Sequence, residues 1–181
     1  MIGLAGSHGA INHSKSKNQT NHSSPHELSN MSEEKLTHTW DGLPISPTPP
    51  HGAMIVVYRD VEGRREYLLL HRAHHGPDYD GPWAWGPPSG ARYPGEEIDR
   101  CAARELYEET GLDLLPRPLP EAVSYEWPVY ILQAPSPTPL RLSAEHDSYV
   151  WLPYEEALLR ISPLVVREAF EVAVRRVEIG D

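Results

Sequence analysis

From Ala53 onward the hydrophobic residues fall in short blocks separated by polar or Gly- and Pro-rich stretches, whereas residues 1–30 show no apolar periodicity of either kind. AMIVVY, starting at Ala53, is an apolar run of β-branched type, and EYLLLHR, beginning at Glu66, is a second of strand length. The intervening RDVEGRR carries Gly63 and charge, which suits a hairpin connection. Residues 76–95 are dense in Gly and Pro and should form an irregular loop. Residues 97–110 contain neither and read as a helix. Strand-like pieces return at Val123–Trp127, Val129–Leu132 and Tyr149–Leu152. Two helices are expected to close the chain. One lies near Tyr154–Arg160, and the other has Ser162 as N-cap with Pro163 in the first helical position. Strands and helices interleaved in this way predict an α/β sandwich.

Residues 1–30 are mostly Ser, Asn, His, Gly and Lys, and such a segment buries too little apolar surface to offset its ordering entropy. Residues 44–50, PISPTPP, should be extended, since each Pro fixes its own φ and biases its predecessor away from helix. The expected organisation is a disordered polar and Pro-rich tail over 1–50 and one domain over 51–181. Met31 opens MSEEKL, which reads as an ordinary start, so the residues before it are expected to be an upstream extension. His8, His13, His22, His26, His38 and His51 crowd the same region. Their irregular spacing without Cys favours polar filler over a metal-binding tail.

At 181 residues the chain is long enough for one domain with a full core. No apolar run approaches the roughly 20 residues that span a bilayer, and the first residues lack the basic and apolar regions of a secretory signal. A single cysteine, Cys101, excludes an internal disulfide framework. A cytoplasmic protein without membrane contact is therefore expected. The formal net charge of -10 argues against a nucleic-acid coat, because phosphate backbones are held by clustered Lys and Arg. It leaves a small phosphorylated substrate open, since bound divalent cations reverse the field of an acidic site.

The chemistry concentrates in GARYPGEEIDRCAARELYEETGL, residues 90–112. Glu105, Glu108 and Glu109 stand at i, i+3 and i+4, so on a helix they share one face, bordered by the apolar stripe of Ile98, Ala102 and Leu106. Three acids beside a buried stripe repel one another and resist desolvation unless cations occupy the face. Oxygen-only donors favour hard ions such as Mg2+ or Mn2+ over zinc. A Glu cluster alone usually marks a solvated helix surface; here the flanks change that. Gly90, Pro94 and Gly95 shape a loop before the helix, and Gly111 closes it as a C-cap residue.

The stretch resembles the Nudix box, with every specified position filled: Gly90, Glu96, Arg104, Glu105, Leu106, Glu108, Glu109, Gly111 and Leu112. The resemblance extends over roughly Gly52 to Ile179. It implies an α/β/α sandwich with a mixed β-sheet and a loop–helix–loop catalytic motif. It also implies an Mg2+-dependent pyrophosphatase acting on a nucleoside diphosphate linked to another group, with Mn2+ as the alternative ion. On that likeness Glu105 and Glu109 are the main metal ligands, and Glu108 bridges or holds a further cation or its water. Arg104 orients these carboxylates through charge-assisted bonds and Glu96 closes the network. Where many members have a second glycine whose carbonyl ligates metal, this chain has Ser89. A further carboxylate from a later loop, as ligand or general base, is expected at Glu145, with Asp147 as the rival; His146 is read as an exposed bystander rather than a proton shuttle.

Substrate recognition would come from outside the box. Trp83 and Tyr130 are the stacking candidates for a nucleobase, and Trp85 is read as packing. GPPSG and EHDSYVWL resemble the diadenosine tetraphosphate hydrolases, while Pro128 resembles a placement in the ADP-ribose pyrophosphatases. A small nucleotide is thus the expected partner, with a dinucleoside polyphosphate first, ADP-ribose or a nucleotide sugar as the alternative, and a non-catalytic sensor as the competing class. The long C-terminal helix could pack in trans, giving a homodimer, as readily as in cis.

Overall fold

Strand β1 (Gly52–Val61) is buried through its first six residues without alternation, which requires both of its faces to be covered. The computed structural model describes residues 37–39, 42–119 and 126–179. It shows what covers them. Ala53, Ile55 and Val57 pack with Leu68 and Leu70 of β2 (Arg64–Arg72) against Cys101, Ala102 and Leu106 of helix α1 (Ile98–Thr110). Met54, Val56, Tyr67 and Leu69 face the other way, onto Ala157 and Ile161 at α2 (Tyr154–Arg160) and Phe170, Ala173 and Val174 of α3 (Leu164–Ile179). The Tyr67 and Phe170 rings meet edge-on at 5.4 Å, a favourable aromatic geometry. The layers are helix, sheet, helix, as the sequence predicts.

The sheet is mixed. β1 turns into β2 through Glu62 and Gly63, both with left-handed backbone (φ 50° and 77°), the requirement of a two-residue hairpin turn. β1 also pairs antiparallel with β4 (Ser89–Ala91) and parallel with β6 (Val129–Gln133). β2 carries β3 (Trp85–Gly86) and β7 (His146–Leu152), and β5 (Arg117–Pro118) lies on β6. The order β3-β2-β1-β6-β5 therefore sets β4, and with it the start of the box, directly on the central strand.

Two boundaries differ from expectation. α3 begins at Leu164 rather than Pro163, because the Pro163 carbonyl accepts the amide of Arg167 and Pro163, not Ser162, takes the capping place. The compact unit begins at Leu36, and residues 42–50 are tied to it by hydrogen bonds. The other unit, Met1–Lys35, and most of the strand expected at Val123–Trp127 lie outside the described residues. Among the described residues no helix is long and apolar enough to cross a membrane.

Candidate functional site

Helix α1 delivers its carboxylates as the 3.6-residue period demands, but not to equal surroundings. Glu109 is 3% exposed and Glu105 9%, whereas Glu108 is exposed. The Ser89 amide donates to Glu109 Oε2 at 2.9 Å, tying α1 to β4. Gly90 leaves room for Glu105, since a Cβ built there would overlap the carboxylate. Gly111 stops the helix with left-handed φ of 75° and its amide returns to the Tyr107 carbonyl. Leu112 then plugs the α1 side of the core.

Arg104 organises the group. Its guanidinium donates to both oxygens of Glu96 (2.8 and 2.9 Å), to Glu105 (2.7 Å), to Glu108 (3.0 Å) and to the Ala91 carbonyl (2.9 Å), and it lies over the Tyr93 ring at 4.0 Å. Burial opposes ionisation of Glu96, yet Arg104 and the Tyr93 amide outweigh it and hold the carboxyl below its usual range. Burial wins at Glu105, which is pushed up to about 7 despite Arg104. Burial also raises Glu109 well above the carboxylate range, and the Glu105 charge adds to it. Two adjacent buried carboxylates that resist ionisation are an unmet demand for positive charge.

Around this face stand Arg72, Glu145 and His146. Glu145 is half-buried, lines the same cavity as Glu105 and Glu108, and gives its carbonyl to the Ala73 amide at 2.8 Å. His146 is not the exposed bystander that its loop-like sequence suggests. It is 7% exposed, its Nε2 lies 3.8 Å from Glu109 Oε1, and burial pushes its pKa down to about 4. The cause is a bulge: His71 pairs with Ser148 and Arg72 with His146, so Asp147 is the extra residue of β7.

Asp147 consequently turns to His71, away from the carboxylate face. His71 is 1% exposed, with Nδ1 at 2.6 Å from Asp147 Oδ1 and Nε2 at 2.6 Å from the Tyr79 carbonyl. Both ring nitrogens meet acceptors, an arrangement that favours the doubly protonated imidazolium. Burial disfavours that charge, but the Tyr79 carbonyl and Asp147 carboxylate outweigh it and raise the pKa. A raised folded-state pKa gives stability that is complete below about pH 6.5 and lost as pH rises through the folded value. The thermal midpoint is expected to fall over that interval, and Asp147→Asn should flatten the fall. Equal slopes in the two proteins would remove the pair as its source.

The aromatic candidates separate. Trp83 is 52% exposed, lines the cavity and holds a left-handed φ of 68°, a strain of about 1–3 kcal/mol for a bulky residue. Tyr130 is not brought to the cavity. Its strand runs parallel to β1 with Ile55 opposite, so it faces α1 at 2% exposure and donates to Asp99 at 2.6 Å. Trp85 packs on His71 with ring centroids 4.7 Å apart. Trp127, which the sequence places only at the end of a strand-like piece, lies on the cavity wall.

The donor set of the acidic face is oxygen alone, which fits a hard divalent cation. Burial without countercharge and the space left at Gly90 fit one too. The ligands are not preassembled, however. Among the described residues no three of His, Cys, Asp and Glu already stand at metal-binding spacing, in keeping with Arg104 holding Glu105 and Glu108 and Ser89 holding Glu109.

Known proteins share this architecture. A family model described as NUDIX domain matches residues 49–175. A Mus musculus protein named bis(5'-nucleosyl)-tetraphosphatase (asymmetrical) is 34% identical over 104 residues, covering 51% of this chain and 67% of the relative. The crystal structure of a C. elegans Ap4A hydrolase binary complex superposes with a TM-score of 0.53 at 23% identity, over 68% of this chain and 96% of that one. That of a Nudix hydrolase from M. smegmatis, RenU, gives 0.58 at 16% identity, over 80% and 95%. At those identities the two structures speak for the fold.

Proposed function

The chain belongs to the Nudix family and is a pyrophosphohydrolase, and on that premise we propose that it cleaves a phosphoanhydride bond of a dinucleoside polyphosphate with Mg2+ as cofactor. The observation that carries the reading is a single cavity of ≈ 570 Å3 whose lining combines Glu105, Glu108, Glu145, Arg72 and Arg104 with apolar and aromatic side chains such as Leu43, Trp83, Trp127 and Val165. Phosphates suit the charged part of that lining and a nucleobase the apolar and aromatic part. The similarity to a curated tetraphosphatase supports this substrate over ADP-ribose.

Glu105 and Glu109 would hold the cation, with Glu108 and the Ser89 carbonyl as further donors. Mn2+ could replace Mg2+ on the same oxygen set. A bound divalent ion neutralises diphosphate oxygens and makes water a stronger nucleophile. Glu145, in the loop before β7 and on the wall of the same cavity, would take the proton from the attacking water. Arg104 would orient Glu105 through their charge-assisted bond. Trp83, which lines the cavity, would supply a ring face for the base.

Arg72 lines the cavity, and its charge opposes protonation of both Glu109 and His146, which places it beside the acidic face. We assign it to the phosphate chain. Arg72→Ala should raise KM for a tetraphosphate substrate by about tenfold, the scale of one charge-assisted bond. Equal KM in steady-state kinetics would remove it from the site. The reading as a whole is tested by incubation with Mg2+ and diadenosine tetraphosphate, ADP-ribose, NADH or nucleoside triphosphates. Products are identified by mass, with labelled water marking the attacked phosphorus. Turnover is expected first for the tetraphosphate, giving a mononucleotide and a phosphorylated remainder. Absence of turnover on every substrate would favour a ligand sensor.

A further inference from the structure

The family match begins at residue 49, but the cavity does not. Its wall includes His38, Thr39, Leu43 and Ile45, from a segment that doubles back on itself just upstream. His38 and Pro44 form a β-bridge, the Ile45 amide donates to the Thr37 carbonyl at 2.9 Å, and the Leu43 amide donates to Thr39 Oγ1 at 2.9 Å. Two side chains latch this strap to the domain, His51, whose Nδ1 lies 2.8 Å from the Ser46 carbonyl, and above all Arg92. Arg92 donates to the Pro50 carbonyl (2.6 Å), the Thr48 carbonyl (2.8 Å) and Ser46 Oγ (2.7 Å), while the Ser46 amide returns a bond to the Arg92 carbonyl (2.7 Å). Arg92 also donates to the Glu96 carbonyl at 2.7 Å. The strap is thereby tied to the residue that anchors Arg104.

Trp83, Trp127 and Val165 line the same cavity. Trp127 packs over Gly52, where a Cβ would overlap its ring. Leu43, Trp83, Trp127 and Val165 are 42%, 52%, 41% and 60% exposed. Four exposed large apolar side chains from four separate parts of the chain line one cavity that also takes in Glu105, Glu108 and Glu145. Apolar surface gathered in this way marks a place that a ligand covers.

We infer that the strap is a specificity wall of the substrate site, closing on the ring-bearing end of the nucleotide while its phosphates lie at the carboxylates. The inference rests on the proposed nucleotide substrate. Leu43 contributes apolar cover to the cavity that Trp127 and Val165 also line. Arg92 is a positioning residue, acting through the strap backbone.

The test compares wild type with Leu43→Asp, Leu43→Met and Arg92→Gln, each checked for fold by circular dichroism. Leu43 is exposed, so its substitution leaves the core intact. Two measurements are made: the affinity for α,β-methylene-ADP and for inorganic pyrophosphate, both with Mg2+, and the kcat and KM for diadenosine tetraphosphate. Leu43→Asp should weaken methylene-ADP binding and raise KM about tenfold, with kcat and pyrophosphate binding unchanged. Leu43→Met should restore wild-type values, and Arg92→Gln should shift KM in the same direction. Unchanged methylene-ADP affinity in Leu43→Asp, or an equal loss for pyrophosphate, would overturn the inference. Were the wild type to hydrolyse nothing, the catalytic reading would fail while strap-dependent binding of methylene-ADP would still support the wall.

Discussion

Glu109→Gln should lower kcat by about 10³-fold while the metal-free protein stays as stable as wild type or becomes more so. The loss follows from removing a charge on which the reaction depends, on the scale of about 3–4 kcal/mol for one preorganised electrostatic contact. The stability follows from burial. Glu109 is 3% exposed, and its carboxyl is held well above the usual range. A carboxyl with a raised folded-state pKa favours the fold when protonated, and that advantage disappears as pH rises past about 4.3 toward the folded value. At neutral pH the neutral amide avoids the penalty and still offers an oxygen to the Ser89 amide. Stability and activity therefore move apart, as they do at residues selected for chemistry. Mg2+ at a hundredfold excess over its Kd should add about 2.7 kcal/mol to wild type and markedly less to the variant. The measurements are steady-state kinetics and thermal unfolding with and without Mg2+. Near-wild-type kcat in Glu109→Gln would remove the acidic face from the reaction.

Gly90→Ala should cost about 10²-fold in kcat/KM with little change in thermal midpoint. The added Cβ would overlap only the carboxylate end of Glu105 among its nearest neighbours. That end is the movable part of a flexible side chain, so the backbone pairing of Gly90 with Ala53 can persist. What must shift is the carboxylate itself, off the 2.7 Å bond from Arg104. A displacement near 1 Å in a positioned group carries a penalty of that size. A large drop in midpoint would mean that the glycine serves the fold. Unchanged kinetics would mean that Glu105 does not need its place.

The carboxylate face was legible in the sequence because one helix carries it, and a helical period places side chains without knowledge of neighbours. The layered fold followed for a similar reason, since β1 could be continuously apolar only if covered twice. What the sequence hid depends on partners distant along the chain. Tyr130 looks available as a stacking ring until β6 is set parallel to β1, which sends it toward Asp99. His146 and Asp147 exchange their apparent roles because of one skipped residue opposite His71 and Arg72. Residues 44–50 read as tail because Pro-rich segments show no periodicity, while their anchor, Arg92, lies some forty residues away in the box loop. No local pattern announces such a latch.

β1 offers an internal clock for following all of this in solution. Its residues are hydrogen-bonded in turn to β4, β6 and β2, and both its faces are sealed. Amide hydrogens of Ile55 to Val57 should exchange with deuterated water only when the whole domain opens. Nucleotide or Mg2+ binding will slow them solely through overall stability, whereas any extra slowing in residues 42–50 or at the end of α1 measures local closure. The ratio of the two rates separates ordering of the strap from general stabilisation within a single experiment.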